Sequence, residues 1–280
     1  MKGIAFLRDR ALYILDEKGG IYRSDILGGR FQTSRRVGTA PVHCDDVQLA
    51  VSEEAICYLV PPSQLKGAQL FVAPLDAKGT IGRWQISSLP KSSGTPSPIW
   101  VENGHVLAII QEGESISAIH AARIQHEGRL CDWKRVVALP RGIRPESAAI
   151  SGDRCLIVNR HEQTGSIELL AVALRKSKQV SHLGSFQDIR GRMSLVTAND
   201  HIILLDGGDR PGRAQIHEAR TDAKTRAVSW YSRNAGFYPV LNSLSGVVVG
   251  NRILVAGSRT ATVGRHSSTS SYTAYVALDS

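Results

Sequence analysis

The chain has 280 residues, of which 42% are hydrophobic, and 34 Lys and Arg face 25 Asp and Glu, giving a formal charge of +9 at neutral pH. That composition provides for a sizeable core and excludes a charge-swollen, disordered chain. No apolar run reaches membrane-span length, and the segment after Lys2 lacks the length and cleavage site of a secretory leader. Cytosolic synthesis is therefore expected, with later incorporation into a particle left open.

Six hairpins are predicted in chain order, each an alternating apolar strand, a tight turn and a returning apolar strand. Ile4 to Leu7 returns as Leu12 to Leu15, Val47 to Val51 as Ile56 to Val60, and Ile99 to Val101 as Val106 to Ile110. Ala148 to Ile150 returns as Cys155 to Val158, Leu195 to Thr197 as Ile202 to Leu205, and Val247 to Val249 as Ile253 to Ala256. Their turns carry Arg8-Asp9, Glu53-Glu54, Asn103-Gly104, Gly152-Asp153, Asn199-Asp200 and Gly250-Asn251, mostly residues that tolerate positive φ or bond their own backbone.

A third strand follows each hairpin, its register kept by Ile26, Leu75, Ile124, Leu174, Thr221 and Leu278. The segment Ile116 to Gln125 is the best helical candidate in the chain, but it occupies this third-strand position and is read as strand. A fourth strand is expected to end near a tryptophan. Trp84 and Trp133 lie 49 residues apart and Trp133 and Trp230 lie 97 apart, with His182 at the intermediate point. Such a period marks a repeat architecture. It predicts six blades built on a four-stranded plan over residues 3 to 35, 47 to 84, 98 to 133, 147 to 182, 194 to 230 and 246 to 279, the last lacking an outer strand and so read as three-stranded. The expected fold is all-β, a single six-bladed β-propeller domain spanning residues 1 to 280.

The second repeat reads Leu75-Asp76, Gly79, Gly82-Arg83-Trp84, Leu89-Pro90, and the third repeats Gly128, Trp133 and Leu139-Pro140. In this the chain resembles the kelch-type β-propeller family, in a divergent branch with degenerate repeats. The family's Gly-Gly survives as Gly207-Gly208, His182 replaces one Trp, and the first repeat lacks its Trp near Arg35. The resemblance implies the fold; the family includes binding modules, structural proteins and a few enzymes, so it implies no single activity.

In an up-and-down blade the first-to-second and third-to-fourth turns share one end. The opposite end carries the connections between blades and between second and third strands, expected to be the long ones, including an excursion over Ser258 to Ser271. Binding residues concentrate on such loops. This end is expected to be basic, with Arg36, Lys66, Arg144, Arg160, Arg190, Arg192, Arg210, Arg259 and Arg265 as candidate binding residues. A concentrated positive field favours an acidic partner, whether an acidic protein surface, a phosphate or a carboxylate-bearing glycan. The competing explanation is that scattered arginines keep a β-rich chain soluble and unpaired at its edges.

The preferred function is a non-enzymatic binding or assembly module for a protein partner, such as a structural component of a phage virion or tail. Sialidase-like hydrolysis is the first alternative, with Arg144, Arg192 and Arg259 near a central opening. It would draw its acid, base and nucleophile from Asp45, Asp46, Glu146, Asp188 and Tyr238, and the turn motif of that superfamily is absent. Nucleic-acid binding is the second, favoured by charge but lacking aromatic residues among the loop arginines. Copper oxidase chemistry finds no paired histidines, and His120 and His217 occupy matching third-strand positions that read as structural. No metal site, cofactor or catalytic residue is assigned. Cys44, Cys57, Cys131 and Cys155 show no C-x-x-C spacing; buried thiols are expected, with Cys44 in a loop as the candidate for exposed reactivity.

Overall fold

Alternating apolar residues form all six predicted hairpins, and in every one the expected partners lie opposite each other in antiparallel register. The structure, a computed structural model, describes residues 3–7, 10–44, 47–61, 68–90, 99–113, 116–143, 145–151, 153–161, 164–174, 180–187, 189, 191, 193–198, 201–208, 214–221, 228–234, 243–250, 252–263 and 266–277, with 258–272 described as backbone. Contacts divide the chain into two compact units, residues 2–143 and residues 144–280. Each unit contains three sheets.

The first unit opens with β1 (Gly3–Leu7), β2 (Ala11–Leu15) and β3 (Gly20–Leu27). A two-residue β4 (Arg30–Phe31) folds back on the tip of β3, and β5 (Arg35–Thr39) takes the fourth-strand position against its other end. Blade two is β6 (Gln48–Val51), β7 (Ala55–Val60), β8 (Gln69–Pro74) and β9 (Gln85–Ser87), paired in that order. Blade three is β10 (Ile99–Glu102), β11 (His105–Gln111), β12 (Ser117–Arg123) and β13 (Lys134–Ala138). The second unit holds β14 (Pro145–Ser151), β15 (Arg154–Arg160), β16 (Ile167–Ala173) and β17 (Val180–Phe186) in blade four. Blade five is β18 (Met193–Ala198), β19 (His201–Asp206), β20 (Gln215–Thr221) and β21 (Val228–Asn234). Blade six has three strands among the described residues, β22 (Ser243–Val249), β23 (Arg252–Val263) and β24 (His266–Ala277). The helical candidate is indeed strand, β12, and the only helical turn among the described residues is His126–Gly128.

The core lies between sheets. One cluster joins blades one and two through Tyr13, Ile21, Val37, Tyr58 and Phe71, and a second joins blades two and three through Leu59, Leu70, Val106 and Ile110. In the second unit, Leu156, Leu169, Phe186 and Leu204 pack between blades four and five, and Ile203, Ile216, Ile253 and Val255 between five and six.

The tryptophans fasten these seams. The indole N–H of Trp84 donates to the Thr39 carbonyl, that of Trp133 to Ser88 and that of Trp230 to Leu183, each at 2.8 Å. Each acceptor belongs to, or directly follows, the fourth strand of the preceding blade. Contrary to expectation, Trp84 and Trp133 precede β9 and β13 rather than ending them. The reason is local: Gly79 and Gly128 sit at φ +73° and +79°, and the chain turns there and closes on the third strand through the bridges Leu75 to Ile81 and Ile124 to Leu130. A Cβ at Gly79 would collide with the Arg23 guanidinium and the Tyr13 hydroxyl. Asp76 stabilises this turn by accepting from the amides of Lys78 at 2.8 Å and Thr80 at 2.7 Å, bonds that hold its carboxyl below the usual carboxylate range.

Four of the six register-keeping residues share one task. The amides of Ile26, Leu75, Ile124 and Leu174 donate to the carbonyls of Arg10, Glu54, Gly104 and Asp153 at 2.7 to 2.8 Å. Each third strand thus ends on the first turn of its own blade. Leu278 lies outside the described residues.

Replacing Trp133 by Phe removes the N–H that donates to the exposed Ser88 carbonyl and hands that acceptor to water, so the unfolding free energy in urea should fall by about 1 kcal/mol or less. A variant as stable as the parent would show that the indole bond does not hold the seam. A second expectation concerns His217, which is buried, lies 4.9 Å from the Phe186 ring centroid and bonds the Ser232 hydroxyl through Nδ1 at 2.7 Å. Desolvation holds its pKa below the ordinary 6.5. Between the lowered folded value and 6.5 the unfolded chain binds the extra proton, so native stability drops as pH falls through that window. His217→Gln should flatten this part of the stability-against-pH curve, measured by urea unfolding at successive pH values.

Candidate functional site

The best-defined polar frame at the long-connection end lies in blades four and five. At the start of β14 the register shifts between Pro145 and Ser147, so Glu146 is the extra residue of a bulge, and a bulge re-aims its side chain. Glu146 there receives the guanidinium of Arg160, the last residue of β15, in a two-point contact: Nε on Oε1, and Nη2 on Oε2 at 3.1 Å. The remaining Nη1 donates to the Ile189 carbonyl at 2.8 Å. Ile189 is buried in the connection to blade five, so one planar cation ties a strand end, a bulge and an inter-blade connection together. Two residues on, Gly191 packs so closely on the next turn that a Cβ would lie 2.6 Å from the Asp206 carboxylate and would overlap the Gly208 backbone. Asp206 is itself buried and accepts the Gly208 amide at 2.9 Å, with Gly208 at φ +70°. The Gly207-Gly208 pair singled out in the sequence is thus the floor of a backbone-to-backbone contact.

Among the candidate binding residues, Arg160 is committed within the fold, and half of its environment is the carboxylate that neutralises it. Arg36 is exposed on β5, its Nη2 on the Thr39 hydroxyl at 3.0 Å. Arg259 is on β23 opposite Ser270. Lys66, Arg144, Arg190, Arg192, Arg210 and Arg265 lie outside the described residues, as do Asp45, Asp46, Asp188 and Tyr238. In the chain, Arg190 and Arg192 flank Gly191, Arg144 stands two positions before Glu146, and Arg210 two after Gly208. Four of the nine candidates are thus near neighbours in sequence of residues in the Arg160 frame.

Two expectations about this end are corrected. The stretch 258–271 is strand rather than a loop excursion: β23 and β24 remain paired without a break from Arg252 opposite Ala277 to Val263 opposite His266. Its Ser and Thr residues signalled a loop, but β-branched Thr residues suit a pleated ribbon equally well. The turns over 75–84 and 124–133 are as long as most inter-blade connections, and Arg10, Arg123, Arg129, Arg154, Arg220 and Arg252 stand at the blade end that carries the first-to-second and third-to-fourth turns. Arg35 reaches the Lys78 carbonyl in one of those turns.

Other polar groups have structural partners. Glu112 holds His120 at 2.9 Å with one oxygen and Arg135 at 2.8 Å with the other, in blade three. In blade five the fully buried Glu218 bonds His201 Nδ1 at 2.8 Å. Among the described residues no group of His, Cys, Asp and Glu is arranged to hold a metal ion. Cys44, expected to be the exposed thiol, is buried in the seam of blades one and two, and Cys131 is the partly exposed one. Burial pushes the Cys155 thiol up to about 12 and that of Cys57 higher still. Cys131 lines an open cavity of about 580 Å³ with Arg123, His126, Glu127 and Arg129. Sequence reading missed this cavity because it forms around the positive-φ backbone of Glu127 (φ +65°), a conformation that residue type does not announce.

No family model and no curated protein matches the chain. Similar solved structures exist. The structure of YjhT aligns with a TM-score of 0.60 at 11% identity, covering 96% of each chain. A prolyl oligopeptidase B from Galerina marginata, bound to a 35mer hydrolysis and macrocyclization substrate, aligns with a TM-score of 0.52 at 11% identity over 91% of this chain and 38% of that one. At these identities the likeness concerns the fold alone. Together with the six antiparallel sheets and their up-and-down strand order, it makes the chain an all-β, six-bladed β-propeller, its last blade having three strands among the described residues.

Proposed function

We propose that this propeller is a non-enzymatic binding and assembly module that offers a basic patch around the Arg160 frame to an acidic partner. The observation that carries the reading is the frame itself. Arg160, neutralised by Glu146, fixes the connection by donating to the Ile189 carbonyl, giving a rigid base near which Arg144, Arg190, Arg192 and Arg210 follow in the chain. Glu146 is the described member of the carboxylate set that sialidase-like hydrolysis would use, and its engagement by Arg160 favours binding over that chemistry. The partner is the acidic surface of another protein in a larger particle, a virion or tail being one such setting. The Gly-to-Trp spacing and Leu-Pro ends of blades two and three support membership of the divergent kelch-type branch.

Reversing charge with Arg144→Glu and Arg192→Glu together should weaken retention on immobilised poly-glutamate at least tenfold while leaving the urea midpoint unchanged. Unaltered retention would remove the patch from the function. Glu146→Gln should instead lower stability by about 1 kcal/mol, since the pair is partly solvent-screened, and should affect retention only through the frame. Turnover of a fluorogenic sialoside, abolished by Arg144→Glu, would replace the binding reading by the hydrolytic one. Tight binding of single-stranded DNA that collapses steeply with salt would replace it by the nucleic-acid reading.

A further inference from the structure

Blade six carries an edge unlike the outer edge of any other blade. The other five outer strands come from the chain itself and are blunted by familiar means. β9 has only three residues; β5, β13 and β17 pair through register shifts; β5, β13 and β21 carry Arg35 and Arg36, Lys134 and Arg135, and Arg233. β24, the outermost strand of blade six among the described residues, has twelve residues in unbroken register with β23. Its sequence, His266-Ser-Ser-Thr-Ser-Ser-Tyr-Thr-Ala-Tyr-Val-Ala277, contains no Asp, Glu, Lys, Arg, Pro or Gly. Long, regular and without formal charge, it has the form that strand addition requires.

The neighbouring pairing adds a second observation. β22 reaches only as far as Ser258 along β23, so 259–263 and 266–270 continue past the sheet as a two-stranded ribbon. Two strands alone are marginal in water. A further strand along β24 would widen the sheet and the ribbon together.

We propose that this strand is β24 of a second copy of the chain, the two running antiparallel about a two-fold axis. Charge favours this occupant. Each chain carries +9, which opposes association through its basic surfaces, yet along β24 no formal charge meets another. An acidic strand from a different partner would find no Lys or Arg on β24 to pair with. An antiparallel strand is also self-complementary under two-fold rotation, so one surface serves both copies. The inference rests on blade six and is independent of the Arg160 patch.

Sedimentation velocity over a wide range of protein concentration tests it. The parent should pass from monomer to dimer, and amide exchange along β24 should slow as the dimer fills. Ser268→Lys with Ser270→Lys should raise the dissociation constant at least tenfold without moving the urea midpoint. The same two positions changed to Glu should also give monomers, and mixing the Lys and Glu variants should restore dimers. Thr33→Lys with Ser34→Lys, on exposed loop positions of blade one, should leave dimerisation unchanged. A parent that stays monomeric at every concentration overturns the proposal, as does a dimer indifferent to the β24 charges or a monomer whose β24 edge is filled by an added unrelated peptide. Should the lysine variant fail to fold, the concentration dependence of β24 exchange in the parent decides alone.

Discussion

Each blade is a small sheet with two apolar faces, and neither can be buried from within. A four-stranded sheet has to place both faces against neighbouring sheets, so the stability of any one blade resides in the seams. Apolar burial accounts for the attraction but does not fix the register of one sheet against the next. The indole bonds do: Trp84 to Thr39, Trp133 to Ser88 and Trp230 to Leu183 are directional and equal in length, and each spans to the blade before. Within a blade, the amides of Ile26, Leu75, Ile124 and Leu174 set the third strand against the first turn. Two recurring hydrogen bonds thus pin what the hydrophobic effect leaves free.

This division explains what could be read from residue types. The hairpins were legible because alternation of apolar residues has period two in any half-buried strand, and all six fell where the pattern placed them. The fourth strands were less so. Three of them, β5, β13 and β17, pair through register shifts that break the period, and the Trp that marks the repeat works from the turn in blades two and three but from within the strand in blade five. Position relative to the marker therefore varies while its hydrogen bond does not. Ser258 to Ser271 failed for a related reason: Ser and Thr are common to loops and to paired strands, so composition does not separate the two.

The site was legible in outline only. Arg160 was singled out as a loop cation, yet its value to the fold lies in Glu146 and Ile189, partners 14 and 29 positions away that no local pattern links to it. Likewise Gly191 reads as a generic loop glycine until the Asp206 to Gly208 turn is seen pressed against it. Charge count showed that cations exceed anions but could not say which cations are already paired. The frame supplies part of that answer: Arg160 is a cation already committed to holding a connection in place.

Edges complete the argument, because a sheet whose faces are covered still has two sides along its strands. In these blades the first strand is the inner edge and the fourth the outer, and five outer strands are shortened, bulged or charged. Those devices lower stability or leave it unchanged in the isolated chain, so their repeated use points to what they prevent. The absence of all of them from β24, over twelve consecutive residues, is then a departure from a rule the same molecule otherwise keeps. Seams within the chain and an open strand at the last blade are two answers to one problem, the disposal of sheet surface, and the second calls on another molecule.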